Sequence, residues 1–139
     1  MVVRELLKDP RVDPSADSNF SVRMACQQGF TEVVVELLKD TRVNPADRNN
    51  TAIGIAAELG HVDCLVALLK DPRVDPSADS NYAIKFSAQN GHLPVVLELL
   101  KDPRVDPSAN DNYAVRFASA GGHLEVVKAL LTDPRYKLY

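Results

Sequence analysis

One phrase recurs five times in this chain at a constant interval. Leu6-Leu7-Lys8-Asp9-Pro10-Arg11-Val12-Asp13-Pro14 returns at 68–76 and 99–107, and at 37–45 with Thr41 for Pro and Asn44 for Asp. A shortened copy, Leu130-Leu131-Thr132-Asp133-Pro134-Arg135, stands near the C-terminus. The second Leu falls at 7, 38, 69, 100 and 131, a step of 31 residues. Self-similarity at such a period predicts a stacked-repeat architecture. One unit is too short to bury its own apolar face, so the core must run on through its neighbours. The product is an elongated surface of the kind that binds other molecules, though the period does not say which.

A chain of 139 residues would ordinarily make one compact domain, but the repeat overrides that expectation. Its 16 basic and 19 acidic residues are interspersed and leave a net charge of −3. That balance carries no footprint for nucleic acid or an anionic membrane, so neither is expected as a partner. No charged N-terminal stretch leads into a long apolar run, and no apolar run approaches about 18 residues. Neither a signal peptide nor a membrane span is therefore expected, and the setting reads as reducing and cytoplasmic. Cys26 and Cys64 occupy different phases of the repeat and do not read as a disulfide or metal framework. Asn19-Phe20-Ser21 and Asn49-Asn50-Thr51 match the glycosylation acceptor pattern, which in that setting reads as chance.

With the boundary set before Val12, one repeat domain over 1–139 divides into full repeats at 12–42, 43–73, 74–104 and 105–135. Residues 1–11 form a partial repeat that supplies only a second helix, and 136–139 are a tail or the start of a further repeat. Each unit reads as two short helices joined at Gly29, Gly60, Gly91 or Gly122, where a positive φ is wanted. Asn19, Asn50, Asn81 and Asn112 are the expected caps of the first helices, since a short amide side chain can accept from an orphan backbone N–H. The second helix, Leu93 to about Lys101 in one unit, carries Leu93, Val96, Leu99 and Leu100 as a one-sided stripe. Asp-Pro should stop it, because the residue before Pro is pushed out of helical geometry. Thr41 in place of Pro predicts a softer stop in the first full unit. The connectors, with two prolines and several turn-forming residues, read as turns.

Gly-His-Leu-x-Val-Val-x-x-Leu-Leu, at 91–100 and 122–131, resembles the second helix of the ankyrin repeat, and Gly60-His61-Val62 with Leu68-Leu69 keeps its outline. Ala56, Ala57 and Ala88 stand where that family carries small residues. The resemblance covers essentially the whole chain. It implies an all-α fold, an α-solenoid of stacked ankyrin-like helix–turn–helix repeats with short turn-like connectors. Two departures stand out. The unit is two residues shorter than the family's usual 33, and the loss falls in the connector, so blunt turns with little β-ladder are expected. The family's Thr-Pro-Leu-His start becomes Phe20-Ser21-Val22-Arg23, Thr51-Ala52-Ile53-Gly54, Tyr82-Ala83-Ile84-Lys85 and Tyr113-Ala114-Val115-Arg116, without its His. A tetratricopeptide-like array is the runner-up fold, and its longer period fits less well.

His61, His92 and His123 form a ladder whose rungs, one helix-packing distance of roughly 8–10 Å apart, cannot share a metal. A structural role is expected of them. Arg11, Arg42, Arg73, Arg104 and Arg135 run beside Asp9, Asp40, Asp71, Asp102 and Asp133, which predicts a self-neutralised edge rather than an anion clamp. Phe20, Tyr82 and Tyr113, interrupted by Thr51, read either as an aromatic stripe on the binding face or, the favoured reading, as rings that fill volume left by the shortened connector. Met24, Ile55, Phe86 and Phe117 are expected in the inter-unit core. No nucleophile–base pair and no phosphate-cradling loop is visible, so no enzyme, cofactor or metal is predicted.

The resemblance implies a non-catalytic protein–protein interaction module that binds a protein partner through its concave face. Positions that change between copies are then the candidate contacts. At the connector tips these are Asp17, Ser18, Arg48, Asn49, Asp79, Ser80, Asn110 and Asp111. At the first-helix ends they are Gln27, Gln28, Glu58, Leu59, Gln89 and Asn90. The alternative is a structural or self-associating repeat fragment, or an engineered scaffold, whose uncapped apolar terminal helices stack on other copies.

Overall fold

The structure, a computed structural model, describes residues 2–136. Nine α-helices and no strand occur among them: α1 (Val2–Leu7), α2 (Ala16–Gln28), α3 (Thr31–Leu38), α4 (Asp47–Leu59), α5 (Val62–Leu69), α6 (Ala78–Gln89), α7 (Leu93–Leu100), α8 (Ala109–Ala120) and α9 (Leu124–Leu131). The solenoid of helix pairs and the absence of a β-ladder among the described residues follow the sequence reading. Lys137, Leu138 and Tyr139, most of the expected tail, lie outside the described residues. No described helix is long and apolar enough to cross a membrane.

Two layers run side by side. The even-numbered helices α2, α4, α6 and α8 pack in series, as do α1, α3, α5, α7 and α9, and each even helix packs on the odd helix that follows it. Small residues let the even helices approach closely: Ala25, Ala56, Ala57, Ala88 and Ala118 are all buried. The odd helices supply bulk through Val34, Leu37, Leu65, Leu68, Val96, Leu99, Val126 and Leu130. Val43, Val74 and Val105, with Pro45, Pro76 and Pro107, close the core from the connectors. Full burial of one such Leu contributes about 1.5–3 kcal/mol, which helices of eight residues need, since they are marginal alone.

Gly60 shows how each pair is joined. Its φ of +79° closes α4, its N–H donates to Ala57 O, and His61 N–H donates to Ala56 O at 2.9 Å. This is the Schellman arrangement, which satisfies carbonyls the helix end would otherwise orphan. The softer stop expected at Thr41 is absent. α3 ends at Leu38, at the same place in its phrase as α5 and α7, with Asp40 N donating to Leu37 O and Val43 N to Asp40 O as in the Pro-bearing copies. The Asp40 side chain makes the stop, because its Oδ1 accepts Arg42 N–H at 3.0 Å, a turn that needs no Pro.

Candidate partner-binding surface

The connector tips carry an unusual backbone. Three successive residues in each are left-handed: Asp17-Ser18-Asn19, Arg48-Asn49-Asn50, Asp79-Ser80-Asn81 and Asn110-Asp111-Asn112, with φ between 54° and 62°. Such residues cost roughly 1–2 kcal/mol each, least for Asn and Asp, whose short polar side chains bond locally. That explains the preponderance of Asn and Asp at the tips, with Ser18, Ser80 and Arg48 the departures from it. Asp13, Asn44, Asp75 and Asp106 brace the approach, each accepting the backbone N–H two residues on.

The third residue of each tip is not the helix cap the sequence suggested. Asn19 Oδ1 accepts Asn44 N–H at 2.7 Å, Asn50 Oδ1 accepts Asp75 N–H at 2.8 Å and Asn81 Oδ1 accepts Asp106 N–H at 2.9 Å. The amide therefore ties one connector to the next, 25 residues away. Asn19 adds a bond from Nδ2 to Asp47 Oδ2 at 2.9 Å. Asn112 Oδ1 is buried with no partner among the described residues.

The Asp–Arg ladder is internal, as the sequence predicted. Each Arg closes a two-pronged fork on the Asp two residues before it, with Nη2 to Oδ2 distances of 2.7–2.9 Å. Hydrogen bonding to Arg42 holds Asp40 down at about 2, and the same cause lowers Asp9, Asp71, Asp102 and Asp133. Three of these guanidinium groups also reach back along the array: Arg42 Nη1 donates to Val12 O, Arg104 Nη1 to Val74 O and Arg135 Nη1 to Val105 O. The histidines serve a similar end. A Cβ added at Gly29, Gly60 or Gly91 would fall 2.5–2.8 Å from Nδ1 of His61, His92 or His123, so each imidazole lies against the preceding Gly. Phe30 takes the equivalent place on α3 and is 56% exposed. Among the described residues no His, Cys, Asp or Glu cluster could hold a metal ion.

Of the sequence-predicted contact residues, Asp17, Gln27, Gln28, Arg48, Asn49, Leu59, Asp79, Ser80, Asn90, Asn110 and Asp111 are exposed, and Ser18 is half-buried. Glu58 and Gln89 are half-buried and engaged inside the array. Tyr82 Oη donates to Glu58 Oε2 at 2.7 Å, and Tyr113 Oη to Gln89 Oε1. Burial, and then the Glu58 carboxylate, push the Tyr82 phenol up to about 12. Asn90 Nδ2 donates to Glu58 O at 3.0 Å, so this residue too spends part of its polarity internally.

The aromatic rows interlock. Tyr82 stacks near Phe86 with centroids 4.3 Å apart, Phe86 meets Tyr113 at 5.6 Å and Tyr113 meets Phe117 at 4.2 Å. Met24, Ile55 and Phe86 are half-buried and Phe117 is exposed, so these four are not the fully buried core the sequence suggested. They line the seam between successive even helices, and Phe117 has no following even helix over it among the described residues. Where Thr51 replaces the ring and Gly54 the neighbouring base, a notch of about 180 Å³ opens between α4 and α6. At the other end Val3, Leu6, Phe20, Met24 and Phe30 line an apolar groove of about 360 Å³ beside α1. No helix of the described residues stands there.

No curated protein matches the chain. A family profile described as ankyrin repeats (3 copies) matches residues 1–81. That match covers more than half of the sequence and agrees with the helix pairs, the Gly-closed turns and the small residues between even helices. The chain belongs to the ankyrin repeat family.

Proposed function

We infer that this chain is a protein-interaction module whose partner lies across the connector tips and the exposed ends of α2, α4, α6 and α8, the concave face of such arrays. Ankyrin repeats are generally protein-interaction modules and typically non-catalytic. One observation carries the choice of face. Most of the side chains that recur between copies are consumed internally, by Asp–Arg forks, by the Asn braces of Asn19, Asn50 and Asn81, and by the contacts of His61, His92 and His123 with glycine. The side chains that change between copies, such as Arg48, Asn49, Asp79, Asn110 and Asp111, stand exposed along one edge. Leu59, 46% exposed, is the large apolar side chain left open on the surface of α4, of the kind interfaces bury at their centre.

The test is affinity capture with the chain as bait, repeated with Arg48, Asn49, Leu59 and Asp79 changed to Ala, Gly, Ala and Gly. Glycine keeps the left-handed backbone at the tips. Loss of a reproducible binding protein in the altered bait, with helical content unchanged, is the expected result. Partners retained by the altered bait refute this face.

A second reading rests on the ends. The groove beside α1 and the exposed Phe117, Leu124 and Leu131 would let copies stack through terminal faces. Light scattering across concentration tests it, and a strict monomer at high concentration rules it out.

A further inference from the structure

Three of the four even helices carry a basic side chain at one position shortly after the left-handed tip: Arg23 on α2, Lys85 on α6 and Arg116 on α8. On α2, Arg23 Nε and Nη2 donate to the tip carbonyls Ser18 O and Asp17 O at 3.1 and 3.0 Å. On α8, Arg116 donates in the same way to Asp111 O and Asn110 O. Lys85 Nζ stands 5.4 Å from the centre of the Tyr113 ring, on the next even helix. A left-handed tip thus presents backbone oxygens that accept a guanidinium, and the ring that follows offers a face to a cation.

α4 lacks this group. Gly54 stands at the basic position and Thr51 at the aromatic one, and their absence makes the notch between α4 and α6. The equivalent tip carbonyls belong to Arg48 and Asn49. Arg48 O takes the Thr51 hydroxyl at 2.5 Å, and among the described residues no guanidinium donates to either. The notch is walled by the Tyr82 ring and floored by Ile53, and the exposed Asp79 lines it. The Asp79 carboxylate has no hydrogen bond or ion pair among the described residues, and Arg48 is not part of the lining.

We propose that this notch is a subsite for an arginine side chain projecting from a protein partner, which supplies in trans the group that α2 and α8 supply themselves. The guanidinium takes the Asn49 carbonyl and the Asp79 carboxylate, and the aliphatic stem lies along Tyr82 and the apolar floor. An arginine is favoured over a lysine because its planar fork donates to two acceptors at once, as Arg23 and Arg116 do. The proposal rests on the reading of this face as the partner surface and names one chemical feature of that partner.

The test titrates the full, isotope-labelled chain with acetyl-Gly-Arg-Gly-amide, and separately with citrulline in place of the arginine, which keeps the shape and removes the charge. The arginine peptide is expected to shift the amide signals of Gly54, Asp79 and Tyr82 saturably. Citrulline should bind at least about tenfold more weakly, the worth of one charge-assisted hydrogen bond. Asp79→Asn, which keeps a residue that accepts the left-handed backbone, should weaken the arginine peptide by a similar factor with the circular dichroism unchanged. Gly54→Arg should abolish the response, because its own guanidinium takes the place. A Cβ there meets Tyr82 Cδ1 at 3.1 Å, so this variant is read only with its circular dichroism unchanged, and Asp79→Asn carries the test otherwise. Equal response to arginine and citrulline, binding undiminished in Asp79→Asn, or no response to the arginine peptide overturns the proposal. The probe engages the notch alone, so its failure leaves the wider face to be judged by the capture experiment.

Discussion

Asn19 and Asn112 share a backbone conformation, at φ 59°, ψ 41° and φ 60°, ψ 38°. They differ in what their side chains hold. Asn19 is 5% exposed and makes two bonds that join its connector to the next, while Asn112 Oδ1 has no partner among the described residues. Substituting each by Ala and by Gly therefore separates bond from backbone. Alanine pays the left-handed penalty, about 1 kcal/mol beyond Asn, and glycine does not. Losing the Asn19 bonds leaves Asn44 N–H and Asp47 short of a partner, about 2 kcal/mol together. The expected losses are about 3 kcal/mol for Asn19→Ala, about 2 for Asn19→Gly, about 1 for Asn112→Ala and about 0 for Asn112→Gly. Urea unfolding followed by circular dichroism reads these directly. In a chain of this length each kcal/mol lowers Tm by roughly 3 °C, so Asn19→Ala should melt roughly 9 °C low. Equal losses for Asn19→Gly and Asn112→Gly would refute the inter-connector bond as the reason Asn stands there. Equal losses for Ala and Gly at position 19 would refute the backbone part.

The remaining expectations are shorter. Gly60→Ala puts a Cβ 2.6 Å from His92 Nδ1 at a φ of +79°, whereas Gly122→Ala at φ +76° meets nothing within 4 Å. The first should destabilise by about 2–3 kcal/mol and the second by about 1, and equal values in urea unfolding would exclude the imidazole contact. Arg42 holds Asp40 at about 2, and Arg4 with Lys39 holds Glu36 at about 2, both below their unfolded values. Their contribution is therefore complete above about pH 5 and lost as pH falls toward 2, and a stability profile flat over that span at constant ionic strength would contradict the forks. Burial, with a smaller contribution from Cys64, pushes the Cys26 thiol up to about 12, so iodoacetamide should modify it only in denaturant. Labelling of Cys26 in the folded chain at neutral pH would show the α2 core to be open.

The helices and their order were legible because burial repeats with the chain's own period. The first Leu of the pair is buried at Leu37, Leu68 and Leu99, and the joining glycines have the positive φ expected of them. What escaped the sequence is what one unit does for the next. A repeated Asn before a helix reads locally as a cap, and only stacking reveals that its partner lies 25 residues on. Arg42 reaches Val12 O for the same reason. Identity in every copy was the available signal, since a cap tolerates Ser, Thr or Asp, whereas a group that must both accept from a neighbouring amide and sit left-handed does not. The candidate contacts were picked out by their variation between copies, and most of them stand exposed. That Glu58 and Gln89 are half-buried was not legible, because the tyrosines that engage them belong to the following unit.

The way the units are tied together also explains why one of them could diverge. The ties between successive connectors run from Asn, Asp and Arg side chains largely to backbone N–H and C=O groups, which every residue but proline provides. A substitution at a tip or just after it then leaves these ties in place, and Arg48, Thr51 and Gly54 stand in place of the Asp or Asn, the ring and the base of the neighbouring units. Leu59 stands on the same helix as that altered turn, an apolar residue where the other copies have Gln28, Asn90 and Gly121. On the proposed partner face, the notch with its carboxylate at one end of α4 and the exposed Leu59 at the other would be two unlike anchors on one helix. A partner that meets both must present a cation and an apolar group at the spacing α4 sets.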